Sequence, residues 1–155
     1  MKIQLNIAPI AILVIVGMIV ASREVLAQSS ADVAVNQTAS TTCSAGESVA
    51  LSGNLHVQVS TAADPNGGTR YEIGMSSSLT GVGQSTQASY SGSGSYGYGF
   101  TTLDSPAQVT LELGTPLKSQ GSAPDLRLSQ SVSITVDSSG SVTASVASSS
   151  TDCAQ

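Results

Sequence analysis

The sequence predicts one all-β domain, an antiparallel meander of about seven or eight strands with a single disulfide. Three observations predict it. Apolar residues alternate with polar or small ones through most of residues 47–146, the period of half-buried strands. Turn signals built on Asp, Asn, Pro and Gly separate the alternating runs. Charged residues supply only 10% of the chain and aromatics 3%, far from the Glu-, Lys- and Leu-rich make-up of helical bundles.

The first element is an address. Lys2 precedes residues 7–20, an unbroken apolar run, and Val25-Leu26-Ala27 follows with compact residues at the positions a signal peptidase inspects. Residues 1–27 therefore read as a secretory signal peptide cut after Ala27. As a helix the apolar run rises about 21 Å, short of the roughly 30 Å hydrocarbon core. No stable membrane anchor is expected after cleavage, and the location read from this segment is secreted or periplasmic. Residues 28–42, rich in Ser, Thr, Ala and Gln, read as a flexible lead-in. Residues 43–155 read as the β-domain.

The two cysteines are Cys43 and Cys153. An even count in an exported chain is read as a disulfide, and two thiols so far apart lack the short spacings and four ligands of a zinc site.

Val49, Leu51, Leu55, Val57 and Val59 share odd positions, as do Tyr71, Ile73 and Met75 after the turn Asp64-Pro65-Asn66-Gly67. A two-residue loop would set the two apolar sets on opposite faces. A three-residue loop, Pro65 to Gly67, opposes Val59 to Ile73 and Val57 to Met75 and keeps them together. The C-terminal end repeats the device. Leu126, Leu128, Val132, Ile134 and Val136 are even, Asp137-Ser138-Ser139-Gly140 turns the chain, and Val142, Ala144 and Val146 return on even positions. Between the hairpins, residues 79–84 and 87–91 read as one bent strand, Ala107 to Leu113 as a clean strand, and residues 114–124 as a loop.

Closure follows from the cysteines. Cys43 lies just before the strand at 47–60 and Cys153 just after the one at 141–148, and a disulfide holds its α-carbons within about 7 Å. Those two strands are expected to pair antiparallel and close an even-stranded meander. The expectation is a small up-and-down barrel in preference to a β-sandwich.

Several short segments recur in a familiar order: Cys43, Gly46-Glu47, Leu51-Ser52-Gly53, Leu55-His56-Val57, Asp64, Asn66-Gly67-Gly68, Gly81-Val82-Gly83, Tyr90, Gly92, Ile134-Thr135-Val136, Gly140, Val142-Thr143-Ala144 and Cys153. Residues 43–153 thereby resemble a group of small secreted bacterial proteins, each one β-rich domain behind a signal peptide. The resemblance implies export and an all-β fold, and it brings no activity and no catalytic residues. That group often has Thr-Gly where this chain has Thr86-Gln87, a difference confined to an expected turn.

Site chemistry is sparse. His56 is the one histidine and falls on the polar face of its strand. It reads as a solvent-facing, hydrogen-bonded residue before it reads as a general base or metal ligand. Glu47, Asp64, Glu72, Asp104, Glu112, Asp125, Asp137 and Asp152 stand singly, with nothing to pair them as glycosidase chemistry requires; Asp64 and Asp137 are expected to cap their own turns. Neither HExxH nor GxSxG occurs. Ten acidic against five basic residues argue against nucleic acid as a partner, and no cofactor motif is present.

The stretch from Gly92 to Phe100 lacks the Lys-Ser/Thr of a phosphate loop. Its Tyr96, Tyr98 and Phe100 have two readings, core packing or an exposed platform for sugar rings or a partner. With one Phe, four Tyr and no Trp, the core needs its aromatics and the first reading leads. Tyr96, Tyr98, Phe100 and His56 are the candidate binding surface under the second. The expected function is that of an exported, non-catalytic β-domain binding a glycan, a small apolar ligand or a surface protein. A structural or adhesive surface component is the alternative, and a hydrolase with an unrecognised site comes third.

Overall fold

The computed structural model describes residues 25–41, 43 and 47–154. Residues 1–24 of the expected signal peptide lie outside them. Seven strands follow in order: β1 (Val25–Ser40), β2 (Ser48–Ala63), β3 (Thr69–Gly83), β4 (Ser89–Thr102), β5 (Ala107–Ser119), β6 (Leu126–Val136) and β7 (Val142–Cys153). Each pairs antiparallel with the next, in the order β1-β2-β3-β4-β5-β6-β7. They form one nearly closed, barrel-like sheet, with no helix among the described residues.

Both hairpins have the register that parity demands. Val59 faces Ile73 and Val57 faces Met75; Val136 faces Val142 and Ile134 faces Ala144. The turns are built alike. Asp64 N–H donates to the Gly68 carbonyl and Gly67 N–H to the Asp64 carbonyl, and Asp137, Ser141 and Gly140 repeat those two bonds. The Asp64 carboxylate accepts from Asn66 N–H, and the Asp137 carboxylate from Ser139 N–H and Ser141 N–H. Gly67 and Gly140 have φ of 99° and 83°, a region that costs other residues. Inside, Val49, Leu55, Val57, Leu117, Leu128, Val132 and Ile134 have no exposed surface. Each such burial stabilises the fold by about 1.5–3 kcal/mol relative to exposure.

Four expectations are corrected. Residues 28–40 are not a lead-in but most of β1, laddered to β2 from Gln28↔Ser60 to Ser40↔Ser48. Their Ser/Thr-rich composition resembles disorder, yet Ala31, Val33, Val35, Gln37 and Ala39 alternate inward against an already specified strand. The loop expected from residue 114 begins only at 120: Leu113, Thr115 and Leu117 remain buried along β5, and the breakers Gly114 and Pro116 fall on the other face. Residues 79–91 are not one bent strand, because a turn at 84–88 separates β3 from β4. Finally, β2 and β7 do not pair. β1 stands between them, and the strand count is odd.

With seven strands, the first and last run parallel. Ser29 Oγ donates to the Gly140 carbonyl (2.9 Å), Ser149 Oγ to Gln37 Oε1 (2.9 Å), and Cys43 is bonded to Cys153 with α-carbons 5.4 Å apart. These ties advance along both strands in the same direction. No backbone ladder joins β1 to β7 among the described residues.

The other irregular junction is β4–β5. Its ladder covers Tyr90↔Ser119 and Ser91↔Lys118 and stops short of Pro116, which has no N–H to continue it. Beyond it β5 crosses over β4 so closely that a Cβ on Gly92 would collide with the Pro116 carbonyl, and one on Gly94 with the Gly114 carbonyl. The loop at 120–125 is tied back by Lys118 Nζ on Asp125 Oδ2 (2.6 Å), Ser119 N–H on Asp125 Oδ1 (2.9 Å) and Gln120 N–H on the Ser89 carbonyl (2.8 Å).

One core residue works against the fold. Gln130 is fully buried among apolar neighbours, and neither of its amide atoms meets a protein partner. A buried amide left without partners costs about 1–3 kcal/mol. Gln130→Leu, similar in volume, is expected to raise stability by about 1–2 kcal/mol, read as a higher denaturant midpoint at unchanged slope. A lower midpoint would show that the amide is satisfied.

Candidate functional site

The register sets polar residues of four strands in rows on the outer face. Asp32 on β1 faces His56 on β2, His56 faces Ser76 on β3, and Ser76 faces Ser95 on β4. Asp32 Oδ1 lies 2.8 Å from His56 Nδ1. An ionised carboxylate only accepts, so Nδ1–H donates. Asp32 stands in a Ser- and Ala-rich stretch whose composition reads as a lead-in, and the alternation of residues 31–35 is the signal that places it on a strand.

An Asp-His-Ser row has the order of a nucleophilic triad. Acyl transfer also needs N–H donors aimed at the developing oxyanion. β3 is laddered on both sides, so the amides around Ser76 are spent in the sheet. The row is suited to hydrogen-bonding a ligand. Among the described residues no group of three or more His, Cys, Asp or Glu could hold a metal ion.

A trough runs along this face. One part, of about 540 Å3, is lined by Gln58, Ser60, Glu72 and Tyr98; the adjoining part, of about 380 Å3, by His56, Ser76, Ser95 and Tyr96. Gln58, Gly74 and Gly97 line both. The floor is bare because Gly74 and Gly97 face each other across the ladder and Gly99 faces Glu72. Arg70 pairs with Glu72 and fixes its carboxylate.

The aromatic residues divide. Phe100 is half-buried and stacks on buried Tyr71 at 5.0 Å between centroids, with Tyr98 next at 5.9 Å. Tyr96 and Tyr98 remain 43% and 40% exposed, which corrects the core reading for those two. They share a face with Met75 and Ile73, but β5 has already crossed at Gly92 and Gly94 and covers them incompletely. The candidate surface therefore divides: the rings of Tyr96, Tyr98 and Phe100 lie on the face of Met75 and Ile73, and His56 lies on the outer one with the trough. Among the described residues, three of the four exposed large apolar side chains (Val82, Tyr96, Tyr98 and Leu103) fall within residues 96–103.

Other carboxylates serve the fold. The buried Glu47 accepts from Thr86 Oγ1 (2.6 Å) and Thr86 N–H (3.0 Å), tying the entry of β2 to the turn between β3 and β4. Those bonds hold its carboxyl below the ordinary value of 4.5, the hydroxyl bond foremost. Stability from a depressed carboxylate is present above the unfolded value and lost as pH falls through the folded one. Between those two values Glu47→Gln is expected to show a flatter dependence of melting temperature on pH than the parent. Parallel curves through the acid range would refute this. The Lys118 ammonium in the same way lowers Asp125, and the Ser139 hydroxyl lowers Asp137.

No protein-family model, curated protein or solved structure matches this chain.

Proposed function

We propose that this chain is an exported, non-catalytic β-domain that binds a glycan along the outer-face trough. The observation carrying this reading is the trough itself, a glycine floor flanked by the polar side chains of His56, Gln58, Ser60 and Glu72. Sugar hydroxyls are bound by such convergent, fixed polar groups. The carboxylates Asp32 and Glu72 favour a neutral sugar over an acidic one. Export is supported by the pattern of residues 1–27, by the disulfide, which suits an oxidising compartment, and by the resemblance to secreted bacterial β-domains.

Calorimetric titration with a panel of neutral oligosaccharides tests the reading. Gln58→Ala, which removes a side chain lining both parts of the trough, is expected to weaken binding about tenfold, equivalent to 1.4 kcal/mol. Gly74 has open space above it, so Gly74→Leu should fill the trough and abolish binding at unchanged melting temperature. If no sugar saturates the parent protein, the glycan class is wrong. The charge-free edge of β4 favours a second reading, a structural or adhesive surface component.

A further inference from the structure

On one side β4 is laddered to β3 from Ser89 to Thr102. On the other, β5 pairs with Tyr90 and Ser91 and crosses over Gly92 and Gly94. Beside residues 95–101 no strand is laddered to that edge among the described residues. An open edge is a template for another strand, and native proteins blunt it with Lys, Pro or a bulge. Residues 95–101 contain no charge, no proline and no register shift.

The stretch is also symmetric in chemistry. Ser95-Tyr96-Gly97-Tyr98-Gly99-Phe100-Thr101 reads from either end as hydroxyl, aromatic, glycine, tyrosine, glycine, aromatic, hydroxyl. Two copies related by a two-fold axis pair antiparallel, and their facing segments must be self-complementary. Facing residues must also share parity, so that side chains of one kind stay on one face. A centre at Tyr98 satisfies both conditions and uses the whole free stretch.

We propose that β4 of two copies pair antiparallel about an axis at Tyr98. Tyr98 then meets Tyr98 of the partner subunit, and Tyr96 meets Phe100 of the partner subunit. Gly97 opposes Gly99 of the partner subunit, and Ser95 opposes Thr101 of the partner subunit. The half-exposed rings become one aromatic stripe across both sheets, with Leu103, 85% exposed, beside its ends. The edge amides gain ladder partners. This inference stands apart from the glycan reading, because it rests on the free edge and not on the trough.

Sedimentation velocity on the disulfide-bonded protein, from micromolar to millimolar, tests it. The parent is expected to shift reversibly from monomer to dimer. Tyr98→Lys sets two ammonium groups face to face and should weaken the dimer by about a hundredfold or more. Should that variant unfold, Ser95→Lys with Thr101→Lys places like charges at both outer pairs and should do the same. Ser95→Lys with Thr101→Asp places opposite charges there and should restore association. A parent monomeric at every concentration overturns the proposal, as does a dimer indifferent to all these changes. Failure of the opposite-charge pair to restore association overturns the Tyr98-centred register.

Discussion

Replacing Cys43 and Cys153 together by serine is expected to lower the melting temperature by roughly 15 °C. The bond closes a loop of 110 residues, and chain entropy assigns a loop of that size about 4.7 kcal/mol. For a domain of this length each kcal/mol is worth about 3–4 °C. A structural reason adds to the entropic one. Among the described residues, two serine hydrogen bonds and this disulfide tie the β1 side of the seam to the β7 side, without a backbone ladder. Hydrogen exchange should therefore quicken first along β1 and β7 in the serine variant, while the β2–β3 hairpin keeps its protection. A change of only a few degrees, or uniform loss of protection, would mean that the seam is held by something else.

Gly92→Val is expected to destabilise the protein by about 3 kcal/mol or more, at the upper end of the cost of overpacking. The new side chain would meet the Pro116 carbonyl and the Leu117 α-carbon. Both are backbone atoms, which cannot rotate away as a side-chain tip can. Pro116 is also fixed in φ, so the strain falls on the β4–β5 crossing. Leu113, Thr115 and Leu117, buried along β5, would be lifted from the core together. The fitting measurement is the urea midpoint beside Gly97→Ala, where the added Cβ would find its nearest atom, the Ile73 carbonyl, at 4.0 Å. Equal midpoints for the two variants would deny the crossing its role.

The two Asp-x-x-Gly hairpins were legible because parity and turn length constrain each other. Only a three-residue loop keeps Val59 with Ile73 and Val136 with Val142, and the ladders agree pair by pair. β1 was not legible because its inward positions are Ala, Val and Gln, too weak in contrast to Ser and Thr to declare a face. Missing it turned an odd-stranded sheet into an expected even one and paired the wrong strands. Pro116 and Gly114 read as breakers because sequence cannot say which edge of a strand carries no ladder. The site shows the same limit. His56 was visible singly, but Asp32, Gly74 and the meeting of His56 with Ser76 and Ser95 depend on register across three junctions. Exposure at Tyr96 and Tyr98 depends on where β5 crosses, a property of backbone clearance at Gly92.

The parallel seam has a mechanical consequence. The upstream end of β1 lies at the pole of the Gly140 turn, and Cys153 lies at the opposite pole beside Cys43. Tension applied at Gln28 and at Cys153 runs along β1, crosses the covalent bond from Cys43, and leaves through Cys153. The chain between the cysteines, which holds the trough and the free β4 edge, lies outside that load path. Under force, β1 would be drawn taut along its own axis while the 110-residue loop stayed slack. With the bond reduced, the same pull would be transmitted through all seven strands.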